Sequence, residues 1–310
     1  MMEISIVVVN WNSGAQLYRC VNSIFQYSND LNVKIIVVDN GSSDNSLELI
    51  SEFSKVKVIK VGENLGFGKA CNLGAKNVKS EFLLFLNPDA EVYQDTLQNT
   101  YNFMVNENNQ NIGVCGVQLI NEKSEVDYSC TWLPTFNTML ARSTGADRIF
   151  NGWSYFMNNW DHKNSRKVDH VIGAFYFVRK HVFDSVDGFD ERFFVYLEDL
   201  DLSLRIKEKG FDIYYLSEIR AFHAGGGVSQ QVKARRLFYS WRSRLLYVFK
   251  HFGFFQACLI LLMTLFIEPF SRSFFAVGRR QWSSVGQTWQ ACWMLVRWLP
   301  RWLLKGETRP

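Results

Sequence analysis

Phe82 to Leu86 is an unbroken apolar run that stops at Asn87-Pro88-Asp89. A run apolar at every position predicts a strand buried on both faces, which requires a sheet with helices on each side. Pro88 has no N–H to give to a neighbouring strand, so the strand ends there. Asp89 is thereby delivered to the C-terminal edge of a parallel sheet, where open α/β sheets bind their ligands. Three more runs, "ISIVVVN" (4–10), "VKIIVVDN" (33–40) and "VKVIKV" (56–61), have the β-branched content of strands. Helices are expected between them. The first covers 14–28, with Leu17, Cys20, Val21, Ile24 and Phe25 on one face. The second covers 45–54, capped from the turn Gly41-Ser42-Ser43-Asp44, and the third lies near 69–79. Strand and helix in alternation predict an α/β fold, a mostly parallel, Rossmann-like sheet flanked by helices with right-handed crossovers.

Beyond residue 90 the pattern loosens. A helix near 95–107, strands at 112–120, 168–180 and 212–216, and an amphipathic helix closed by Gly210 are expected. Residues 121–170 read as polar and irregular.

The charge divides the chain at about residue 232. Residues 233–310 hold 13 Lys/Arg and 2 Asp/Glu, a net of +11, whereas the whole chain is +4, which leaves −7 on residues 1–232. Six of the ten Trp also lie in the basic part. Two domains are expected, 1–232 and 233–310. The run 252–267 is uncharged but shorter than the roughly 20 apolar residues of a bilayer span. With Trp, Arg and Lys on its flanks, it suits a helical region lying in a membrane interface. That run offers nothing to phosphates, so nucleic acid is not an expected partner. The six Cys show neither close pairing nor metal-ligand spacing and read as free thiols. The N-terminal apolar run lacks the basic flank and length of a signal peptide.

Polar residues recur at the ends of the apolar strands: Asn10, Asp39, Asn87 with Asp89, and further on Glu198 with Asp199. One strand-end Asp is often only a helix cap. Several on one sheet edge point to a charged ligand. The loop "GENLGFGKACNLG" (62–74) is glycine-rich and leads into a helix, so its amides can face phosphates. It matches neither common nucleotide pattern. A dinucleotide fingerprint needs Gly where Cys71 stands, and a P-loop needs Gly at Glu63 and Ser or Thr at Ala70.

Taken in order, "VVVNWNS" (7–13), "IVVDNGSSDNS" (36–46), "NLGFGKACNLG" (64–74), "FLNPDA" (85–90), the block 172–205 and "FHAGGG" (222–227) resemble the family-2 inverting glycosyltransferases of GT-A fold. The block 172–205 is similar to that of bacterial rhamnosyltransferases that use dTDP-L-rhamnose in surface polysaccharide synthesis. The resemblance implies a role for each matching position. Asp39 contacts the base or ribose, and Asn10 and Asn12 line the same pocket. Asn64 with Gly66 and Gly68 helps hold the nucleotide. Asp89 is the metal-binding Asp of an Asp-x-Asp motif whose first position here is Asn87, which leaves one carboxylate fewer. His223 is a second metal ligand, Asp199 the catalytic base, and Glu198 an acceptor-binding neighbour. The implied cofactor is Mg or Mn. The implied donor is dTDP-L-rhamnose or, alternatively, a UDP-sugar, and the acceptor a lipid-linked or growing glycan. A peripheral enzyme at the cytoplasmic face of the inner membrane, docked on anionic lipid, is the resulting expectation. A non-catalytic nucleotide-sugar binder is the rival that the same pocket allows.

Overall fold

The structure, a computed structural model, describes residues 3–28, 31–225 and 233–309. Its contacts gather into two compact units that do not follow chain order. The first comprises Met1–Trp132, Trp160–Asp190 and Asp199–Val228. The second comprises Leu133–Asn159, Glu191–Glu198 and Ser229–Pro310.

The first unit opens with β1 (Glu3–Asn10), α1 (Ala15–Tyr27), β2 (Asn32–Asp39), α2 (Ser46–Leu49), β3 (Val56–Lys60), α3 (Phe67–Ala75) and β4 (Phe82–Leu86). It continues through β5 (Ala90–Val92), α4 (Thr96–Val105), β6 (Ile112–Ile120), β7 (Val126–Asp127) and β8 (Cys130–Thr131). The second unit interrupts with α5 (Phe136–Thr144). Then come β9 (Arg166–Val168), β10 (His170–Val171), β11 (Phe175–Arg179), α6 (Lys180–Ser185), α7 (Glu198–Glu208) and β12 (Asp212–His223). The main sheet runs β3-β2-β1-β4-β11-β6-β12-β5. Strands β1 to β4, β6 and β12 pair in parallel wherever they touch, and β11 lies antiparallel between β4 and β6. This is the expected mostly parallel α/β sheet.

Both faces are covered, as the apolar runs require. Ile4, Ile6 and Val8 of β1 share one core with Leu17, Cys20, Val21 and Ile24 of α1. On the opposite face α3 comes so close that a Cβ on Gly74 would stand 2.4 Å from Val7 Cγ1 and 3.0 Å from Val38 Cγ2. Those methyls belong to short, stiff side chains in a close-packed layer. Gly74→Ala is therefore expected to lower stability by about 1–3 kcal/mol, the range for overpacking, as read by urea unfolding. A midpoint equal to that of the unmodified chain would contradict this packing.

The register brings the polar strand ends to one edge. Asn10 stands opposite Asp39, and β4 is aligned so that Leu86 stands opposite Val8. Because β11 is antiparallel, its start at Phe175 meets the end of β4 at Leu86. The end of β12 joins the segment after β4, with His223 opposite Ala90.

Local departures from the expected elements have local causes. The helix expected over 45–54 is one turn, Ser46–Leu49, followed by turns in which Ser51 Oγ donates to the Glu48 carbonyl. Such side-chain bonds compete with helix continuation. The strand expected over 168–180 is split, because Val168 pairs with β12 whereas His170 pairs with β8 in a separate ribbon. The last strand runs to His223 rather than stopping at 216, with a register shift between Leu216 and Arg220.

The second unit holds α5 with α8 (Lys233–His251), α9 (Phe254–Phe266), α10 (Glu268–Gly278) and α11 (Trp282–Lys305). Glu268, 1 % exposed, ties three of these helices together. It pairs with Arg244, accepts from Arg272 Nε at 2.8 Å and from Trp241 Nε1 at 2.8 Å, while Arg244 also donates to Thr264 Oγ1 at 2.9 Å. Burial pushes the Glu268 carboxyl up, but the two guanidinium groups outweigh it and hold the group below its usual value. Arg242 is also fully buried, its guanidinium over the rings of Phe194, Tyr239 and Phe238, and burial pulls its pKa down to about 10. Large apolar side chains remain exposed along α9 to α11, among them Phe255, Phe266, Phe274, Trp282, Trp293 and Leu304. Among the described residues no single helix is long and apolar enough to cross a membrane. The pair α9 and α10, bent by 42°, passes that test together.

All six cysteines are free, and Cys258 on α9 alone among them is not buried.

Candidate functional site

The site is built on the C-terminal edge of the first unit. Asp39 is held there through both carboxylate oxygens. Its Oδ1 accepts from Asn10 Nδ2 at 2.9 Å and its Oδ2 from the Ser42 backbone N–H at 3.3 Å. Asn10, fully buried, also reaches Ser46 Oγ at 2.8 Å and Ser42 Oγ at 3.0 Å, so its amide positions Asp39 and the loop behind it. Asn12 sits in the left-handed region at φ 51° and accepts from the Ser43 N–H at 2.8 Å. Asp44 closes the same loop by accepting from Gly14 N–H at 2.8 Å and Ser46 Oγ at 2.6 Å. Burial pushes the Asp44 carboxyl up, and these bonds more than offset it, leaving it below its usual range. Asn64 folds the glycine loop on itself by accepting from Gly66 N–H at 2.9 Å, and Gly66, at φ 86°, opens α3. Gly68 lies buried in the first turn of that helix.

Asn87 and Asp89 leave β4 as the register dictates. The Asn87 N–H donates to the Ala174 carbonyl at 3.1 Å, and the Asp89 carbonyl accepts from Ala224 N–H at 3.0 Å. The second bond places His223 beside Asp89, with Nε2 3.6 Å from Asp89 Oδ1. The other ring nitrogen, Nδ1, lies 3.4 Å from Asp127 Oδ2. That contact with His223 holds the Asp127 carboxyl below its usual value against the opposing effect of burial. Among the described residues no group of three or more His, Cys, Asp or Glu is placed to hold a metal ion. Asp89 and His223 thus form a two-residue donor set, one oxygen and one imidazole, with Asp127 behind the imidazole.

Asp199 lies in the first turn of α7. Its Oδ2 accepts from Gly173 N–H at 2.8 Å and its Oδ1 from Leu200 N–H at 2.9 Å. A Cβ on Gly173 would stand 3.4 Å from both Asp199 Oδ2 and Phe67 Cε1, so the glycine allows Asp199, the start of α3 and the start of β11 to meet. Through Ala174, next in the chain, the same stretch touches Asn87. Glu198, its neighbour, is 5 % exposed, groups with the second unit, and its charge acts on Arg242.

Residues 5–164 match the family described as Glycosyl transferase family 2. The chain belongs to that family. It is 28 % identical over 206 residues to the rhamnosyltransferase WbbL of Escherichia coli K12, a match covering 63 % of this chain and 74 % of WbbL. It is 24 % identical over 238 residues to the N-acetylglucosaminyl-diphospho-decaprenol L-rhamnosyltransferase of Mycobacterium tuberculosis H37Rv, covering 70 % of this chain and 75 % of that one. The fold is similar to that of a mannosyltransferase from Pyrobaculum calidifontis solved with GDP-Man and Mn2+. The TM-score is 0.56 at 13 % identity, over 94 % of this chain and 86 % of that one. The chain is a glycosyltransferase, and its sheet is of the GT-A type.

Several residues at this edge of the glycosyltransferase carry little or no signal in the sequence. Asn40 holds the glycine loop, donating to the Gly66 carbonyl at 3.1 Å and accepting from Leu65 N–H at 3.3 Å. Its position after Asp39 in "VVDN" was the available signal. Asp127 lies in a stretch read as irregular and meets His223 across 96 residues. His170 lies 3.7 Å from Asp199 Oδ2 and carried no signal at all. Of the aromatics, Trp160 is part-buried and stacked on His162, whereas Trp132 and Trp153 are exposed. Asp201 is fully buried and pairs with Arg205, a helix-internal contact.

Proposed function

We propose that this glycosyltransferase inverts the anomeric centre in one displacement, with Asp199 as the base, and moves L-rhamnose from dTDP-L-rhamnose to a lipid-linked or growing glycan. The observation that carries the mechanism is the Asp199 carboxylate, fixed by two backbone N–H groups on the edge that also bears Asp39 and Asp89. A carboxylate held this way is oriented to take the acceptor hydroxyl proton as that oxygen attacks the sugar carbon. Asp39 with its Asn10 support is assigned to the nucleoside, and the loop of Asn64, Gly66 and Gly68 to the phosphates. Asp89 and His223 would hold the metal; oxygen with imidazole suits Mn and tolerates Mg. When bound, the ion neutralises charge on the departing diphosphate. The choice of rhamnose rests on the rhamnosyltransferase relatives and the block 172–205.

A screen of nucleotide release across dTDP-L-rhamnose and the common UDP-sugars, with Mg or Mn, tests the donor. Highest turnover is expected with dTDP-L-rhamnose and loss of turnover in EDTA. A preference for a UDP-hexose would replace rhamnose, and full activity in EDTA would remove the metal assignment.

The second unit is assigned to the cytoplasmic membrane surface. The exposed aromatics of α9 and α10 are followed, from the end of α10 through α11, by Arg279, Arg280, Arg297, Arg301 and Lys305 among further exposed Trp, the pairing that inserts rings at an interface while cations meet anionic headgroups. Sedimentation should show stronger binding to phosphatidylglycerol-containing vesicles than to pure phosphatidylcholine, and weaker binding as salt rises. Equal binding to both would eliminate the electrostatic part.

A further inference from the structure

Behind Asp199, within the first unit, lies a buried chain of hydrogen-bonding groups. His170 Nε2 is 3.7 Å from Asp199 Oδ2, and His170 Nδ1 is 2.9 Å from Ser203 Oγ. Ser203 Oγ is in turn 3.1 Å from the Tyr176 hydroxyl. His170 is 3 % exposed, and Ser203 and Tyr176 not at all. Three elements supply the chain: β10, β11 and the second turn of α7.

The direction of the bonds follows from counting donors. A tyrosine hydroxyl has one hydrogen and, when buried, must place it on an acceptor or lose roughly 1–3 kcal/mol. Ser203 Oγ is the acceptor that Tyr176 meets. With Tyr176 donating, Ser203 Oγ can turn its own hydrogen to His170 Nδ1, 2.9 Å away. An imidazole accepting at Nδ1 carries its proton on Nε2 when neutral. Burial lowers the His170 pKa, against the raising effect of Asp199 and then Asp169, so the ring is neutral at physiological pH. Asp169 is itself engaged by Lys207. The charged and titratable groups facing this chain are therefore Asp199, Asp169 with Lys207, and Asp201 with Arg205, which act on Tyr176.

We infer that His170 is a positioning residue for the base: held as its Nε2–H tautomer by Ser203 and Tyr176, it directs an N–H at Asp199 Oδ2. The inference rests on Asp199 being the base. The 3.7 Å separation is longer than a formed hydrogen bond, and such contacts tighten when substrate closes the site. A neutral donor suits this place. It favours the ionised carboxylate and fixes its rotation, while a full positive charge at that distance would weaken the base it orients. The proton abstracted from the acceptor ends on Asp199, and His170 gives up none.

Two measurements test this. The first needs no substrate. Ring ¹⁵N spectra of the uniformly labelled chain, with His170 assigned by its loss in His170→Gln, should show a neutral Nε2–H tautomer near pH 7, and Ser203→Ala should mix the tautomers. An Nδ1–H tautomer in the unmodified chain would overturn the inference. The second is the pH profile of kcat/KM, followed as nucleotide release from the donor that the screen selects. His170→Phe removes the N–H and keeps a planar ring. It should move the acid limb upward and lower kcat with donor KM unchanged. His170→Gln, which keeps an N–H, should restore most of the limb. Lost turnover with the limb in place and a lower melting midpoint would make His170 merely structural. If Asp199→Asn stays active, the base assignment fails instead, and the tautomer result still stands on its own.

Discussion

Asp199→Asn is expected to lower turnover by about 10²–10⁴-fold, the usual contribution of a positioned base, while leaving nucleotide binding within a few-fold of the unmodified chain. The substitution keeps the size of the side chain. It accepts only one of the two backbone N–H bonds that the carboxylate accepts, from Gly173 and Leu200, and its NH2 then faces the other donor. A modest loss in thermal midpoint should accompany the kinetic loss. The two are separated by calorimetric titration with the nucleotide diphosphate, because Asp39 and the glycine loop are untouched. A non-catalytic sugar-nucleotide binder would bind equally in both forms and turn over in neither. Turnover within about tenfold of the unmodified enzyme would remove Asp199 from the mechanism.

Glu268→Ala should be strongly destabilising to the helical unit, at about 3–5 kcal/mol, because it strands the buried Arg244 guanidinium and takes away the partner of the half-buried Arg272. Arg244, Arg272 and the Trp241 N–H all converge on that carboxylate, and Arg244 and Glu268 have almost no exposure. The pH dependence has a fixed sign. The folded-state pKa lies below the ordinary 4.5, so this stabilisation is complete above that value and is lost as pH falls through the lowered one. Chemical unfolding at neutral pH, repeated towards acid, should show Glu268→Ala far below the unmodified chain at pH 7 and closing on it below pH 4.5. Glu268→Gln should lose less and lack that convergence. Equal midpoints at pH 7 would mean that the helices are held by their apolar contacts alone.

Sheet and site were legible to different depths. Strands β1, β2 and β4 are mostly apolar where both faces are covered, Ser5 of β1 being an exception, so their runs could be read directly. Their polar terminal residues then fell on one edge by register alone. Asp199 was singled out because it lies inside a long patterned block, 172–205. His170 was not: its neighbours Val168 and Val171 are ordinary strand residues, and its partner Ser203 lies 33 positions away. Asp127 was hidden for the same reason. The segments 133–159 and 191–198 carry no composition that ties them to the C-terminal helices, yet they fold with them. Glycine spacing likewise gave no hint that Gly74 is small because Val7 and Val38 lie against it.

The cysteines have a practical consequence. Burial pushes Cys20 and Cys115 well up and Cys130 up to about 12, with Cys292 raised as well, so these thiols hold their protons and resist alkylation. Cys71 is buried too, whereas Cys258 is partly accessible on the uncharged helix α9. Maleimide chemistry on the native chain is thereby directed to one position without engineering. An environment-sensitive fluorophore placed there would report, by the colour of its emission, whether α9 meets water, lipid or another protein.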